Sequence, residues 1–269
     1  MRRLLVVICA LGSVACSSAA PVATPTTSAD ATSSATSDQG EPRSNGTETN
    51  TGSTVPSTAP TTAPATGSAT EGDRPVPTGP PAAGTYRYRQ SGSMRAGIFS
   101  SEPDPEGTLE VRPTDGRTQR QIRDYGDQSL ERVLIFRDDA VLLSETISRF
   151  GSQATSCRFE RPIVLVRLPL EPGSTWKDSG SCDALTLRLR ARVLRDATRT
   201  VDGRSVDTMV VRYHVVVEGD GVSQTTDQDV WLSLEHRMVV RSEERSEGTF
   251  GSTPYTIERT ERLLSLEPA

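Results

Sequence analysis

Apolar side chains recur at every second position through the C-terminal part of the sequence. In 185–193 the odd-numbered residues are Leu, Leu, Leu, Ala and Val, whereas the even-numbered ones are one threonine and three arginines. The stretch 211–217 repeats the pattern, with Arg212 and His214 on the polar face. Alternation of period two predicts β-strands with one buried and one wet face, and such strands pair antiparallel. No convincing amphipathic helix of three turns competes with this pattern.

Short turn signals separate the alternating stretches. Asp138-Asp139 lies between two apolar runs, and Asp202-Gly203 and Gly219-Asp220-Gly221 hold similar positions further along the chain. Signals of this kind connect the two strands of a hairpin. The sequence therefore predicts a mainly β fold, in which about nine to eleven short strands form a single curved antiparallel sheet, a half-barrel or a barrel-like structure.

The apolar phase slips near the C-terminus. Tyr255 and Ile257 occupy one phase, whereas Leu264 and Leu266 occupy the other. A β-bulge shifts the phase of a strand in this way. We therefore expect a bulge in the last strand.

Residues 17–84 have a different composition. Of these 68 residues, 54 are Ser, Thr, Pro, Ala or Gly, and none is aromatic. Such a segment cannot bury enough apolar area to offset the entropy of ordering its backbone, which predicts a disordered linker. Treated as a flexible coil, it has a root-mean-square span of roughly 45 Å. Residues 85–269 have the length and the apolar content of one β domain.

The first residues have the features of an export signal. Arg2 and Arg3 precede the apolar run Leu4–Leu11, which is too short to cross a hydrocarbon core of about 30 Å. Ser13-Val14-Ala15 then matches the small-x-small pattern of a cleavage site, directly before Cys16. The sequence thus predicts a signal peptide over 1–15, followed by Cys16 and the linker over 16–84.

The cysteine adds information to this signal. The stretch around Cys16 resembles the bacterial lipoprotein signal, in which the cysteine after a small residue is thioether-linked to diacylglycerol and becomes the mature N-terminus. The resemblance implies a lipoprotein with acyl chains such as palmitate, anchored on the extracytoplasmic face of the cell membrane. The alternative is plain secretion, with Cys16 free or removed.

The charge of the C-terminal part is mixed. Residues 85–269 carry 25 arginines and one lysine against 29 acidic residues, a net charge of about −3. A near-neutral sum without a basic patch argues against nucleic acid as a partner. The single lysine, Lys177, beside so many arginines is typical of a genome rich in G and C, and together with the linker the composition resembles actinobacterial lipoproteins.

Two cysteines remain after export and lipidation. Cys9 lies in the signal peptide and Cys16 is assigned to the lipid, which leaves Cys157 and Cys182. In an oxidising compartment such a pair favours a disulfide over a metal pair or a free nucleophile. A bridge closing a loop of about 25 residues contributes on the order of 3.5 kcal/mol in the chain-entropy model.

A further resemblance extends over most of 85–269. It rests on Cys157-x4-Pro162, Leu168-Pro169-Leu-x-Pro172-Gly173-x-x-Trp176, Asp202-Gly203, Trp231 and a final strand ending at Leu264–Pro268. These features are similar to those of secreted bacterial β-proteins related in architecture to the LolA/LolB half-barrel lipoproteins and carriers. The resemblance implies a curved sheet whose concave face holds a hydrophobic molecule.

A few polar groups echo fragments of catalytic or metal sites, but each fits a solvated surface better. They are His214, His236, Asp178–Ser181, the pair Asp227 and Asp229 beside Trp231, and the acidic loop Glu102–Glu106. A hydrolase elbow of the form Gly-x-Ser-x-Gly is missing from the sequence. The sequence therefore predicts a protein that is not an enzyme and that has no metal site and no cofactor.

Two functions remain open. In the first, the curved sheet binds a lipid or another hydrophobic small molecule, in a cavity lined by residues from the alternating strands: Leu187, Leu189, Val211, Tyr213 and Val215. In the second, the interior is filled, and the domain is a structural or interaction module that the linker presents to an envelope protein. The volume of the interior discriminates between the two.

Overall fold

The computed structural model describes residues 79–125, 128–150, 153–183, 185–219 and 221–269. The predicted signal peptide, the lipidation site at Cys16 and all but the end of the predicted linker lie outside these residues. The described residues form strands and turns, and they include no helix long and apolar enough to cross a membrane. This agrees with the mainly β fold that the alternation predicts.

Thirteen strands lie within the described part of the chain. They are β1 Gly84–Ala96, β2 Phe99–Ser101, β3 Glu106–Pro113, β4 Thr118–Asp124, β5 Gln128–Phe136, β6 Ala140–Phe150, β7 Gln153–Arg167, β8 Thr175–Cys182, β9 Leu185–Val201, β10 Arg204–Gly219, β11 Val222–Ser233, β12 Met238–Phe250 and β13 Thr253–Leu263. The prediction of nine to eleven strands was too low, because further turns, such as the one at Asp115-Gly116 between β3 and β4, divide the first half of the domain.

The strands form one antiparallel sheet in the order β7-β6-β5-β4-β3-β1-β13-β12-β11-β10-β9-β8, and the short β2 pairs with β1. Neighbouring strands of the sheet are consecutive in the chain and are joined by hairpins, with one exception. Strand β1 lies between β3 and β13 and so joins the first and last parts of the domain. The sheet coils until its two end strands, β7 and β8, meet. The predicted single curved antiparallel sheet is confirmed, and it is nearly closed into a barrel.

The alternation assigns the faces as predicted. Along Leu185–Val193 the odd-numbered residues are buried and the arginines are exposed, and Val211–Val217 shows the same division. Residues directly opposite each other in an antiparallel pair project from the same face. The inward face therefore continues from strand to strand through the register, and this face becomes the lumen of the barrel.

The predicted bulge in the last strand is wrong. Strand β13 pairs without a register shift on both of its sides, and its buried positions alternate regularly up to Leu263. Leu264 and Leu266 are out of phase because the strand ends before them. The register shifts occur instead in the β5–β6, β6–β7, β9–β10 and β11–β12 pairs.

The turn between β7 and β8 has the structure that its proline, glycine and tryptophan residues indicate. Strand β7 ends at Arg167, just before Pro169, and proline cannot continue a ladder because it has no N–H. Gly173 has a φ of 90°, a conformation that L side chains rarely adopt. Trp176 then begins the next strand as a buried anchor, with its ring edge-on to Tyr213 at 6.2 Å between centroids.

Side chains join β7 to β8 where the ladder stops. Cys157 and Cys182 form a disulfide, as predicted. The Asp178 carboxylate accepts a hydrogen bond of 2.8 Å from the backbone N–H of Val164 and a charged one from Arg161. We call this set of contacts between β7 and β8 the seam.

Replacing both seam cysteines, as Cys157→Ser/Cys182→Ser, should destabilise the domain by about 3 kcal/mol, because the unfolded chain regains the freedom of the closed loop. The measurement is urea unfolding of the full chain carrying Cys16→Ser, with and without a reductant. Reductant should destabilise the parent by a similar amount and leave the double variant unchanged. Equal midpoints for the parent and the double variant would contradict a stabilising bridge.

Candidate functional site

The lumen is divided between an apolar part and a polar part. The larger apolar cluster is contributed mainly by β5 to β11, and it includes the seam cysteines. Polar side chains also face inward, from the other strands and from parts of β5 and β11, and they include Gln90, Gln119, Arg123, Tyr125, Arg132, Gln224, Thr226, Gln228, Ser242, Glu244, Ser246, Arg259 and Glu261. Five of these carry charge, and we call the three arginines and two glutamates the lumen charge cluster.

Glu261 is the centre of this cluster. The Tyr125 hydroxyl donates to its Oε1 over 3.0 Å, and the Ser242 hydroxyl donates to its Oε2 over 3.3 Å. Arg123 Nη1 lies 3.6 Å from Oε2, and Arg259 Nε lies 3.9 Å from Oε1. The side chain of Glu261 is 7% exposed, so these groups replace the water that a carboxylate otherwise requires.

The second glutamate connects the cluster to a chain of hydroxyl groups. Glu244 accepts hydrogen bonds of 2.9 Å from Arg259 Nη2 and from the Ser246 hydroxyl. Ser246 also lies 2.8 Å from the Thr226 hydroxyl, which accepts a hydrogen bond from the Gln224 amide. The network therefore extends across three neighbouring strands, β11, β12 and β13.

Opposite charges decide the protonation of the cluster. Burial would raise the pKa of Glu261, but Arg123, Arg259 and the Tyr125 hydroxyl outweigh it and hold the pKa below its ordinary value of 4.5. Burial lowers the pKa of Arg132. Burial also raises the pKa of Tyr88 to about 12, and its neutral hydroxyl donates to the Val239 carbonyl over 2.8 Å.

The cluster contains three guanidinium groups and two carboxylates. Arg123 stacks 3.9 Å from the centroid of the Tyr88 ring. Its Nη1 is buried and has no hydrogen-bond partner among the described residues. The cluster thus contains a buried donor without an acceptor at hydrogen-bond distance in the described part of the chain.

A partly enclosed cavity of about 150 Å³ lies beside these arginines. Its wall contains twelve aliphatic or phenylalanine side chains, two tyrosines, two glutamines, one serine and three arginines, namely Arg123, Arg132 and Arg237. The apolar members are Leu109, Leu134, Phe136, Val141, Leu165, Val166, Leu168, Val230, Leu232, Leu234, Met238 and Val239. An apolar wall with a few polar groups is typical of a small-molecule site.

The five residues proposed from the sequence as cavity lining are all buried in the larger apolar cluster. They are Leu187, Leu189, Val211, Tyr213 and Val215. Tyr213 borders the 150 Å³ cavity, whereas the other four pack in the cluster away from its wall. The cavity lies nearer to β4 and β5 and to the turn between β11 and β12 than the alternation of β9 and β10 indicated.

The first described residues cross one end of the cavity. Arg237 Nη1 donates to the Pro80 carbonyl and Gln119 Nε2 to the Pro81 carbonyl, each over 2.7 Å. The Tyr86 hydroxyl donates to the Ala82 carbonyl over 3.0 Å. We call residues 79–82 the strap. Gly79 is part of the cavity wall, so the strap, which belongs to the end of the predicted linker, borders the cavity.

The polar groups whose sequence resembles parts of catalytic or metal sites lie outside the cavity. His214 Nδ1 is 2.9 Å from Asp227 Oδ1 on the exposed outer face, and Asp229 pairs with Arg212. Asp178 belongs to the seam. Among the described residues, no group of three or more His, Cys, Asp or Glu side chains is placed to hold a metal ion.

The lumen charge cluster was missed at the sequence level, although the phase of each strand carried a signal. In β13, Arg259 and Glu261 occupy the same phase as Ile257 and Leu263, which are buried. Arg132 likewise lies between Leu130 and Leu134 in the apolar phase of β5. A charged residue in the buried phase of a strand is the pattern that would have indicated an interior charge.

No protein-family model and no curated protein sequence matches this chain. Among solved structures, the hypothetical lipoprotein YmcC from Escherichia coli (K12) is similar to it with a TM-score of 0.31 and 13% sequence identity. The similarity covers 72% of this chain and 92% of that chain. Function is therefore inferred from the residues of this chain.

Glu261→Gln should destabilise the domain by about 3 kcal/mol at neutral pH, since it leaves two buried guanidinium groups without that carboxylate. The pKa of Glu261 is lower in the folded chain than in the unfolded one. Its contribution is therefore present above about pH 4.5 and is lost as the pH falls through the lower folded value. Urea unfolding at several pH values should show that the variant loses less stability than the parent on acidification. The exposed Glu258→Gln is the matched control, and equal acid sensitivity of the parent and Glu261→Gln would contradict the assignment.

Arg237→Ala combined with Gln119→Ala should free the strap, because two of its three side-chain hydrogen bonds are removed. Elastase, which cleaves after alanine, should then cut after Ala82 or Ala83 several-fold faster than in the parent, as mass spectrometry of the products would show. Replacement of the exposed Arg190 by alanine is the control. Unchanged cleavage in the double variant would mean that these hydrogen bonds do not hold the strap.

Proposed function

We propose that this chain is a lipid-anchored, non-catalytic binding protein of the bacterial cell envelope, whose barrel holds a small hydrophobic ligand in its lumen. The observation that carries the proposal is the partly enclosed cavity with twelve apolar side chains in its wall. An apolar concavity of this kind gains free energy when a ligand displaces water from it. The anchor follows from the resemblance of the Cys16 region to a lipoprotein signal.

The volume sets the scale of the ligand. A dry cavity of about 150 Å³ accepts a molecule of roughly the size of benzene. A longer molecule would therefore place one end in the cavity and leave the rest outside, or would displace the strap. Either case fits a ligand drawn from the membrane to which Cys16 attaches the chain.

The outer face supports a second candidate, the presentation of the domain to an envelope protein. Ile98 lies in the turn after β1 and Phe99 begins β2, and they are 94% and 59% exposed. Large apolar side chains at a protruding tip are typical of contact sites. A photo-crosslinker at position 98 in living cells should then give one defined product that Phe99→Ser abolishes.

Native extraction followed by mass spectrometry of whatever copurifies tests the binding function. Val230→Phe adds bulk to the cavity wall and should reduce the copurifying molecule several-fold, because the volume is filled. Val216→Phe makes the same exchange at a half-buried position on the outer face and should retain the molecule. Folding of both variants is checked by circular dichroism. Equal retention by the two variants would show that the lumen is not the binding site.

Cys16→Ser tests the anchor separately. The variant cannot form the thioether, so it should move from the membrane fraction into the medium or the soluble envelope fraction, since both acyl chains are lost. Globomycin, which inhibits processing of lipoprotein precursors, should cause the parent to accumulate in an unprocessed form. An unchanged distribution in the variant and an unchanged parent under the inhibitor would contradict lipidation.

A further inference from the structure

The cavity wall has an uneven charge. It includes the guanidinium groups of Arg123, Arg132 and Arg237, and no aspartate or glutamate belongs to it. The carboxylate of Glu261 lies 3.6 Å from Arg123, and neither Glu261 nor Glu244 belongs to the wall. A molecule in the cavity therefore meets positive charge and no negative charge.

Arg123 lines the cavity and has a donor that is not satisfied. Its Nη1 lies 3.6 Å from Glu261 Oε2, which is beyond a good N–H···O distance, and it has no hydrogen-bond partner among the described residues. The Tyr88 ring covers one face of the guanidinium group at 3.9 Å. A buried donor without an acceptor costs free energy, and an anionic acceptor would recover it.

Along two of its strands, the wall changes from polar to apolar side chains toward the turns, where Ser233 and Arg237 are its polar members. On β5 the inward positions run from Arg132 through Leu134 to Phe136, so Phe136 is about 13 Å from Arg132 along the strand. On β11 and its turn, they run from Gln228 to Leu234. Six antiparallel pairings separate β5 from β11, so the two strands run in the same direction. Both gradients therefore run from a polar inner end to an apolar end near the turns.

Half-buried residues border the cavity at its turn end, as Gln121, Arg123 and Arg132 do at its inner end. Leu168, Leu234 and Arg237 belong to its wall and are half-buried, and all three lie in or next to turns. The strap crosses the same end. A ligand that enters here would place its leading group against Arg123 and Arg132.

We infer that the ligand is a single-chain amphiphile with an anionic head, a carboxylate or a phosphate monoester, that binds head-first with its head against Arg123 and Arg132 and its chain toward the turns. This inference rests on the proposed binding function and specifies its ligand class. Planar guanidinium groups bind both head groups through paired hydrogen bonds. The apolar wall binds the first carbons of the chain, and the remainder passes the strap.

Calorimetry with matched ten-carbon probes tests the inference. The probes are decanoate, decyl phosphate, decan-1-ol and decylammonium, with acetate and inorganic phosphate as heads without chains. The protein is the delipidated full chain carrying Cys16→Ser. Decanoate or decyl phosphate should bind at least about tenfold more tightly than decan-1-ol and decylammonium, as expected for a charge-assisted pair. Acetate and inorganic phosphate should bind far more weakly than either anionic probe.

Variants assign the preference to the guanidinium groups. Arg132→Gln, and separately Arg123→Gln/Glu261→Gln, should remove the preference for the anionic probes and leave the affinity for decan-1-ol unchanged. The double variant removes a guanidinium together with its carboxylate, so it avoids leaving Glu261 without Arg123. Arg190→Gln removes an exposed arginine of the outer face and should have no effect. Thermal unfolding confirms that each variant folds.

The outcomes separate the two proposals. If no ten-carbon probe binds, the proposed function fails, and the inference fails with it. If decan-1-ol binds as tightly as the anionic probes, or if the arginine variants weaken all probes equally, only the inference is overturned. If acetate or inorganic phosphate binds as tightly as the ten-carbon anions, the site recognises a free anion, and the inference that the ligand is an amphiphile is overturned.

Discussion

The closure of the sheet at the seam determines which side chains are buried inside the barrel. A single antiparallel sheet has two faces, and one of them becomes an interior only when the end strands meet. Here β7 and β8 meet through the Cys157–Cys182 disulfide and the Asp178 contacts rather than through a ladder. Closure removes the inward side chains from water. Every charge on that face must then find partners within the barrel.

The lumen charge cluster is the consequence of that requirement. Glu244 and Glu261 are supported by guanidinium and hydroxyl donors from neighbouring strands, and Glu261 remains ionised because these donors outweigh the cost of burial. The described wall of the adjacent cavity contains three arginines and no aspartate or glutamate. The same burial that makes the cluster costly makes its unused donor suitable for binding an anion.

The strap connects the predicted linker to the barrel. It lies at the end of the segment predicted to be a linker and forms part of the cavity wall through Gly79. Its carbonyl groups accept hydrogen bonds from Gln119, Tyr86 and Arg237, which belong to different parts of the barrel. The strap therefore lies between the rest of the predicted linker and the cavity.

The sequence by itself determined the β fold, the faces of the alternating strands such as Leu185–Val193, several turns and the disulfide, because these depend on local periodicity and on the number of cysteines. Only the tertiary structure decided the number of strands, the regular end of β13 and the position of the cavity. It also decided that Arg132, Arg259 and Glu261 lie inside, because a charge in the buried phase needs partners from strands distant in sequence. Those partners are brought together by closure, which local patterns do not describe.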